Sequence, residues 1–396
     1  MPYIEGRTVH DADAHIMETP ELLETWVESR YREAVRRFDV FSAIPDYEDK
    51  FAEVRHRNVD PDWRAGDADQ ILLRKNWDGL GSWRREDRPA ALDHLGVVSQ
   101  LVFNTMLSAF LSDLEHGDDL DLAYAAARGH NRAMAAFCSV DRRLLATGYV
   151  PLADTARAVA MAREAIEMGC KALLIPSRCP RDHAPSHVAL DGVWAQAQEA
   201  GLPIVFHVGG GGPLLSPAYF RNGLPPVPDF HGGAENFRSV DYMAISNPPM
   251  QTLATLILDR VLDRFPNLKF GVIEQGASWL PGWMRALDSA WTAFRKNEER
   301  LQKMSLKPSE FVRRQIRVTP YPHEDTGWIV ANAGPELCLF SSDFPHVEGG
   351  RNPVKRFEDA LAATPEPAKR RFYCDNFIDL MGAGLPPDLR ELRVVA

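Results

Sequence analysis

Short apolar runs alternate with longer amphipathic stretches along most of this chain. From about residue 97 onward the short runs are bounded by glycine, proline or polar residues, and the stretches between them repeat apolar positions at helical spacing. In 154–168, for example, such a stretch stops before Gly169. The pattern predicts eight β-strands, at residues 9–15, 97–105, 145–151, 172–176, 204–208, 270–274, 316–319 and 337–341. Because strands and helices alternate, we expect parallel βα units that close into a (β/α)8 TIM barrel of the α/β class.

Three segments depart from this regular alternation. Roughly 80 residues separate the first two strands, far more than a simple crossover needs, so an insertion at about 20–90 is expected to pack over the barrel mouth. Residues 209–249 follow the fifth strand and are rich in glycine and proline, which indicates an active-site loop. Residues 386–396 suggest a surface tail. We therefore expect one distorted barrel domain over residues 1–396.

The composition limits the classes of partner. A net charge of −10, from 45 basic and 55 acidic residues without a long basic cluster, argues against nucleic acid and favours a small-molecule substrate. The five cysteines are scattered and lack CxxC spacing, which is typical of reduced thiols. There is no apolar run of membrane-spanning length and no signal-like N-terminus, so we expect a cytoplasmic protein that does not enter membranes. Barrels of this type commonly self-associate, and we expect a homo-oligomer.

Side chains that can bind a metal ion stand at the ends of three predicted strands. Asp13 and His15 alternate along the first strand and so share one face. His207 ends the fifth strand and Asp343 follows the eighth. Because strand ends converge at one mouth of a barrel, the four would meet there. Two carboxylates and two imidazoles suit one divalent ion, zinc first, with manganese or iron as alternatives.

A structural explanation competes for each of these residues. A single histidine in an apolar run is more often a hydrogen-bonded core residue, and we would accept that for His207 taken alone. Its occurrence together with Asp13, His15 and Asp343 at strand ends favours the metal site. The neighbouring Asp11 and Glu18 are expected to support the ligands or to act as helix N-terminal charges.

Four motifs in order resemble a known family. They are DADAHIME at 11–18, VFHVG at 205–209, DRFPNLK at 263–269 leading to EQGASWLP at 274–281, and SSDFPH at 341–346. From about residue 9 to about residue 380 the chain resembles the amidohydrolase family related to aminocarboxymuconate-semialdehyde decarboxylase. The resemblance implies a distorted TIM barrel with one divalent ion. It also implies nonoxidative decarboxylation of aromatic or muconate-type acids, or hydrolysis.

Carried onto this sequence, the family pattern places the ligands on Asp13, His15, His207 and Asp343. It also shows a departure, because decarboxylases of the family usually have a histidine after the sixth strand, where this chain has Glu274. A glutamate can hydrogen-bond a water or substrate but cannot donate as an imidazolium. The departure therefore concerns the reaction and leaves the expected fold unchanged.

Further residues are candidates for catalysis or substrate binding. His346 would orient Asp343 or bind the substrate, with a structural cap as an equal alternative. His231 and His323 lie on loops that could face the pocket. Arg178 and Arg238 could grip a substrate carboxylate through two hydrogen bonds, although exposed arginines are common.

The sequence leaves the reaction open. The first hypothesis is hydrolysis of a small carboxylated, aromatic or ring-cleavage-derived substrate by a metal-activated water, with Asp343 as base and Glu274 and His346 assisting. The alternative is nonoxidative decarboxylation with Asp343 as proton relay. The third is a barrel that binds ligands without catalysis.

Overall fold

Seven parallel strands form one curled sheet in the computed structural model, which describes residues 1–36, 46–225 and 238–390. They pair in sequence order, each with the next, as successive βα units require. Every strand residue is buried, as expected for a sheet covered on both faces. The strands are β1 (His10–His15), β2 (Ser99–Phe103), β3 (Leu144–Tyr149), β4 (Ala172–Leu174), β5 (Ile204–His207), β6 (Phe270–Ile273) and β7 (Ile316–Val318).

The segment predicted as the eighth strand closes the sheet without forming a regular strand. On one side it pairs with β7, where Val318 donates to the carbonyl of Leu337 (2.8 Å) and receives a hydrogen bond from Leu339 (2.9 Å). On the other side Ala12 of β1 donates to the carbonyl of Phe340 (3.0 Å). The expectation of a distorted (β/α)8 barrel is therefore confirmed, whereas that of a regular strand over 337–341 was wrong.

Helices connect the strands and cover the sheet. The predicted helix near 154–168 begins where the side chain of Asp154 accepts hydrogen bonds from the backbone of Ala156 and Arg157, and it ends before Gly169 at φ 96°. None of the described helices is long and apolar enough to cross a membrane. The α-helices are α1 (Leu22–Trp26), α2 (Arg32–Arg36), α3 (Tyr47–Arg57), α4 (Pro61–Arg64), α5 (Arg88–Leu95), α6 (Leu107–Glu115), α7 (Leu120–Cys138), α8 (Thr155–Glu167), α9 (Asp191–Ala200), α10 (Ser239–Tyr242), α11 (Asn247–Leu258), α12 (Val261–Arg264), α13 (Leu280–Phe294), α14 (Glu299–Gln302), α15 (Pro308–Gln315), α16 (Thr326–Ala333), α17 (Pro353–Ala360), α18 (Glu366–Arg370), α19 (Asn376–Met381) and α20 (Pro387–Arg390).

The insertion after β1 packs against the C-terminal end of that strand. The indole of Trp77 donates to the carbonyl of Glu18 (2.9 Å), and the backbone of Met17 donates to Ser82 (2.7 Å). The backbone of Asn76 also donates to the carbonyl of Pro345 (2.9 Å). These contacts attach the insertion to two segments of the chain. One directly follows β1, and the other directly follows the closing segment.

The end of the chain differs in part from the predicted tail. Helix α20 buries Leu389, which is 1% exposed, so this part of residues 386–396 belongs to the packed structure. The remainder of the predicted tail, 391–396, lies outside the described residues.

Candidate metal centre

The side chains predicted to bind metal lie at one end of the barrel. Asp13 and His15 lie on β1, His207 ends β5, Glu274 directly follows β6 and Asp343 follows the closing segment. All of them are buried except Glu274, which is half-buried. Parallel strands converge at their carboxyl ends, so residues that lie far apart in sequence become neighbours.

The donor atoms are close enough to share one cation. The Nε2 atom of His15 lies 3.1 Å from Oδ1 of Asp13, and Nε2 of His207 lies 3.3 Å from the same oxygen. Glu274 places Oε2 3.3 Å from His207 Nε2. One ligand atom from each of these four residues lies within 4.8 Å of the others. Asp343 extends the group, with Oδ1 3.6 Å from His15 Nε2.

The hydrogen bonds of the two imidazoles fit a metal site. His15 Nδ1 lies 2.9 Å from the carbonyl of Asn104, and His207 Nδ1 lies 3.0 Å from the carbonyl of Val208. Because a carbonyl only accepts, each Nδ1 carries the hydrogen, and the Nε2 lone pair faces the cluster. Asp13 Oδ2 is buried and has no hydrogen-bond partner among the described residues. An unsatisfied carboxylate oxygen beside two such imidazoles is suited to a divalent cation.

The ionisation states of Asp13 and His15 are those that metal binding requires. Burial alone would raise the pKa of Asp13, but the neighbouring imidazoles of His15 and His207 outweigh it and hold that pKa well below its usual range. Burial, aided by the charge of His346, lowers the pKa of His15 to about 4. At neutral pH the carboxyl is therefore ionised and the imidazole neutral, which are the states that bind metal.

A chain of polar contacts connects Asp343 to the end of β2. Nδ1 of His346 lies 2.8 Å from Oδ1 of Asp343, and its Nε2 lies 2.8 Å from the hydroxyl of Thr105. That hydroxyl donates to the carbonyl of Ile16 (2.8 Å), so it must accept from His346 Nε2. Nε2 of His346 therefore carries a hydrogen, and its Nδ1 faces the Asp343 carboxylate.

Two cluster residues adopt a backbone conformation that side chains disfavour. Glu274 has φ 54° and Asp343 has φ 53°, both in the left-handed region. Both directly follow barrel segments, where this turn redirects the chain. Such conformations persist only when surrounding contacts enforce them, and they are common at functional sites.

A network of buried hydrogen bonds holds the two barrel segments that carry the cluster residues. Asp11 accepts hydrogen bonds from the backbone (2.8 Å) and hydroxyl (2.6 Å) of Ser342 and from the amide of Gln100 (2.9 Å). Gln100 in turn accepts from the guanidinium of Arg88, which also donates to the carbonyl of His15 (2.9 Å). The sequence indicated a supporting role for Asp11 but did not reveal Thr105, Gln100 or Arg88. The signal that could have found Gln100 is an amide side chain directly before the apolar run of β2, in a strand expected to be buried on both faces.

Other residues considered from the sequence lie elsewhere or have other partners. Glu18 accepts backbone hydrogen bonds from residues 105–107, so it caps the start of α6. Arg178 lies 3.5 Å from Asp113, and His323 is exposed with Nε2 3.2 Å from the hydroxyl of Tyr242. The two remaining candidates are Arg238, which pairs with Asp241 (2.9 Å) and covers the ring of Phe220, and His231, which lies outside the described residues.

Solved structures share this fold at low sequence identity. An amidohydrolase from Mycobacterium avium subsp. paratuberculosis is similar with a TM-score of 0.73 and 22% identity, over 96% of this chain and 100% of that one. A 5-carboxyvanillate decarboxylase from Novosphingobium aromaticivorans, complexed with manganese and 4-hydroxy-3-methoxy-5-nitrobenzoic acid, gives 0.62 and 18%, over 95% and 96%. A 2,6-dihydroxybenzoate decarboxylase from Rhizobium gives 0.60 and 16%, over 96% and 99%.

Sequence comparison identifies the family. Among curated proteins, none matches this sequence at a significant level. The family model described as amidohydrolase matches residues 11–380, which span the barrel and every residue of the cluster. The prediction of a metal-dependent enzyme from this superfamily is thereby confirmed, and the chain belongs to the amidohydrolase family.

Proposed function

We propose that this protein is a metal-dependent nonoxidative decarboxylase of a small aromatic or related acid. Asp13, His15, His207 and Asp343 would hold the ion, and Asp343 with His346 would supply the proton. The observation that carries the proposal is the 2.8 Å contact between Oδ1 of Asp343 and Nδ1 of His346 beside the donor cluster, because such a pair can pass a proton to a substrate. The fold shared with decarboxylases of 5-carboxyvanillate and 2,6-dihydroxybenzoate supports it.

The protein side chains account for the proton that this reaction needs. Asp343, in contact with His346, delivers a proton to the ring carbon that carries the carboxylate. The new C–H bond forms there, the C–C bond breaks, and its electron pair returns to the ring as carbon dioxide leaves. Solvent then returns a proton to the Asp343 and His346 pair. A bound divalent ion would polarise the oxygen atoms of the substrate.

Hydrolysis is the second candidate, and Glu274 is the observation that favours it. Its carboxylate lies 3.3 Å from Nε2 of His207, where it can accept a proton but cannot donate as an imidazolium. With Asp343 as base, the same cluster would then remove a proton from water that attacks an ester, lactone or ring-cleavage product.

Product analysis separates the two reactions. The purified protein, supplied with Mn²⁺ or Zn²⁺, is incubated with hydroxylated benzoic acids and, separately, with esters and lactones. We expect carbon dioxide release from an aromatic acid, and in deuterated water we expect one deuterium on the carbon that lost the carboxylate. Asp343→Asn should abolish turnover while the circular dichroism spectrum stays unchanged. Hydrolysis of an ester or lactone without carbon dioxide release would replace this proposal with the second candidate.

The proposal also covers the bound ion, the cellular compartment and the oligomeric state. The sequence favours zinc, whereas the Novosphingobium relative was solved with manganese, and metal analysis of the purified protein distinguishes them. We further propose a cytoplasmic homo-oligomer that acts on a small carboxylated molecule. The five cysteines are free, which fits a reducing compartment, and light scattering measures the oligomeric state.

A further inference from the structure

Glu274 joins the two halves of the donor cluster. Two groups of side chains in the described chain have ligand atoms within 4.8 Å of one another, and Glu274 and His15 belong to both. The first group adds Asp13 and His207, and the second adds Asp343 and His346. We propose that Glu274 is itself a ligand of the ion, and that Thr319, Tyr321 and Glu324 position it. This inference rests on the metal centre of the proposed function but not on its reaction.

Both backbone groups of Glu274 are held by the segment that follows β7. The N–H of Glu274 donates to the hydroxyl of Thr319 (2.8 Å). The phenol of Tyr321 donates to the carbonyl of Glu274 (2.8 Å). Together these two bonds fix the peptide groups on either side of a residue at φ 54°. A residue with a side chain avoids this conformation unless such contacts enforce it.

Glu324 fixes the rest of the turn. Its carboxylate accepts hydrogen bonds from the backbone of Ala277 (2.9 Å) and Ser278 (2.8 Å), and also from the backbone of Tyr321 (2.7 Å). Glu324 is only 8% exposed, so these bonds are shielded from water. The turn after β6 and the segment after β7 are therefore held together by one buried carboxylate.

The turn also packs closely against the tyrosine ring. Gly276 has φ 66°, and a Cβ atom at this position would lie 3.1 Å from two ring carbons of Tyr321. The ring is therefore held in place by the glycine, while its hydroxyl holds Glu274. This arrangement directs a carboxylate toward His207, where a third carboxylate makes the donor set richer in oxygen. Oxygen donors suit Mn²⁺ better than Zn²⁺, so Glu274 should favour manganese.

A double-mutant cycle on metal affinity tests the proposal without any substrate. Metal-free wild type, Glu274→Gln, Tyr321→Phe and the double variant are titrated with Mn²⁺ and with Zn²⁺. We expect Glu274→Gln to weaken Mn²⁺ binding by about tenfold or more, and Zn²⁺ binding by less. Tyr321→Phe removes only a hydroxyl and should weaken Mn²⁺ binding by about tenfold, as loss of a group that orients a ligand does. The double variant should bind no more weakly than Glu274→Gln alone.

Tyr124→Phe is the matched control. The phenol of Tyr124 is also buried and lies within hydrogen-bond distance of the backbone carbonyls of Pro151 (3.0 Å) and Asp154 (2.9 Å), neither of which belongs to the donor cluster. This variant should lose thermal stability but keep wild-type Mn²⁺ affinity.

Two results would overturn the inference. Unchanged Mn²⁺ affinity in Glu274→Gln would show that Glu274 is not a ligand. Multiplying effects in the double variant would show that Tyr321 does not act through Glu274. If the cycle behaves as expected but no acid releases carbon dioxide, the proposed reaction fails and the inference stands.

Discussion

Replacing Thr105 with valine tests the contact that orients His346. The two side chains have nearly the same shape, but valine lacks the hydroxyl that accepts from His346 Nε2 and donates to the carbonyl of Ile16, both at 2.8 Å. Each buried polar group that loses its partner costs about 1–3 kcal/mol, so we expect unfolding free energy to fall by about 2–4 kcal/mol. Without its acceptor, His346 no longer keeps Nδ1 aligned with Asp343, and turnover should fall about 10- to 100-fold, which corresponds to about 1.4–2.7 kcal/mol in the barrier.

Two control variants separate catalysis from stability. Thr105→Ser keeps the hydroxyl and should recover most of the turnover. Thr252→Val removes another buried threonine hydroxyl, which donates to the carbonyl of Ser177 (2.7 Å), a residue that does not belong to the donor cluster. It should lose stability without losing turnover. Urea unfolding and initial rates of carbon dioxide release are measured on all variants. The reasoning about His346 is refuted if Thr105→Val turns over as fast as wild type, or loses no more turnover than Thr252→Val.

Three further predictions follow from buried polar groups and from the metal centre. Arg88→Met leaves the carbonyl of His15 and the side chain of Gln100 without their donor, so the free energy of unfolding measured in urea should fall by about 2–4 kcal/mol. Arg85→Met is the control, because Arg85 is exposed and its loss should change the free energy of unfolding by less than about 0.5 kcal/mol. Burial lowers the pKa of His130 to about 4, so an unfolded histidine, with a pKa near 6.5, binds a proton first as the pH falls. The stability that this residue contributes is thus present above pH 6.5 and is smaller by roughly 2–3 kcal/mol at pH 4.5. His130→Leu should remove this contribution when unfolding curves at pH 7.5 and pH 4.5 are compared. Removing the ion with a chelator should lower the melting temperature. Adding Mn²⁺ at about 100 times its dissociation constant should restore about 2.7 kcal/mol of the free energy of unfolding. A melting temperature that changes with neither treatment would argue against a bound ion.

The positions of the barrel strands could be predicted because their signal is local. Apolar runs bounded by turn residues located seven strands to within a few residues, and the rule that strand ends converge brought together Asp13, His15, His207 and Asp343. Alternation along β1 gave the shared face of the first pair. These predictions needed only the period of a strand and the direction of a parallel sheet.

The supporting contacts could not be predicted because they join distant parts of the chain. His346 lies 241 residues from Thr105, and neither position has a local pattern that indicates the other. The arginines illustrate the same limit, since the sequence suggested half-buried Arg178 and gave no reason to notice fully buried Arg88. Which polar residue is buried, and against what, depends on packing that a single sequence does not encode locally.

The irregular closing segment, which the sequence predicted as an ordinary strand, has a structural reason at the metal centre. A regular strand would continue its backbone ladder past Asp343, whereas here the chain turns at φ 53° while the N–H of Asp343 still donates to the carbonyl of Asp13 (2.9 Å). Directly afterwards the carbonyl of Phe344 accepts from His15 (2.7 Å). At this turn the backbone stops pairing with β7 and instead forms hydrogen bonds with Asp13 and His15, the two candidate ligands on β1. Because the same few backbone bonds close the barrel and set Asp343 beside His15, loss of regular strand geometry at this point is the condition for assembling the site.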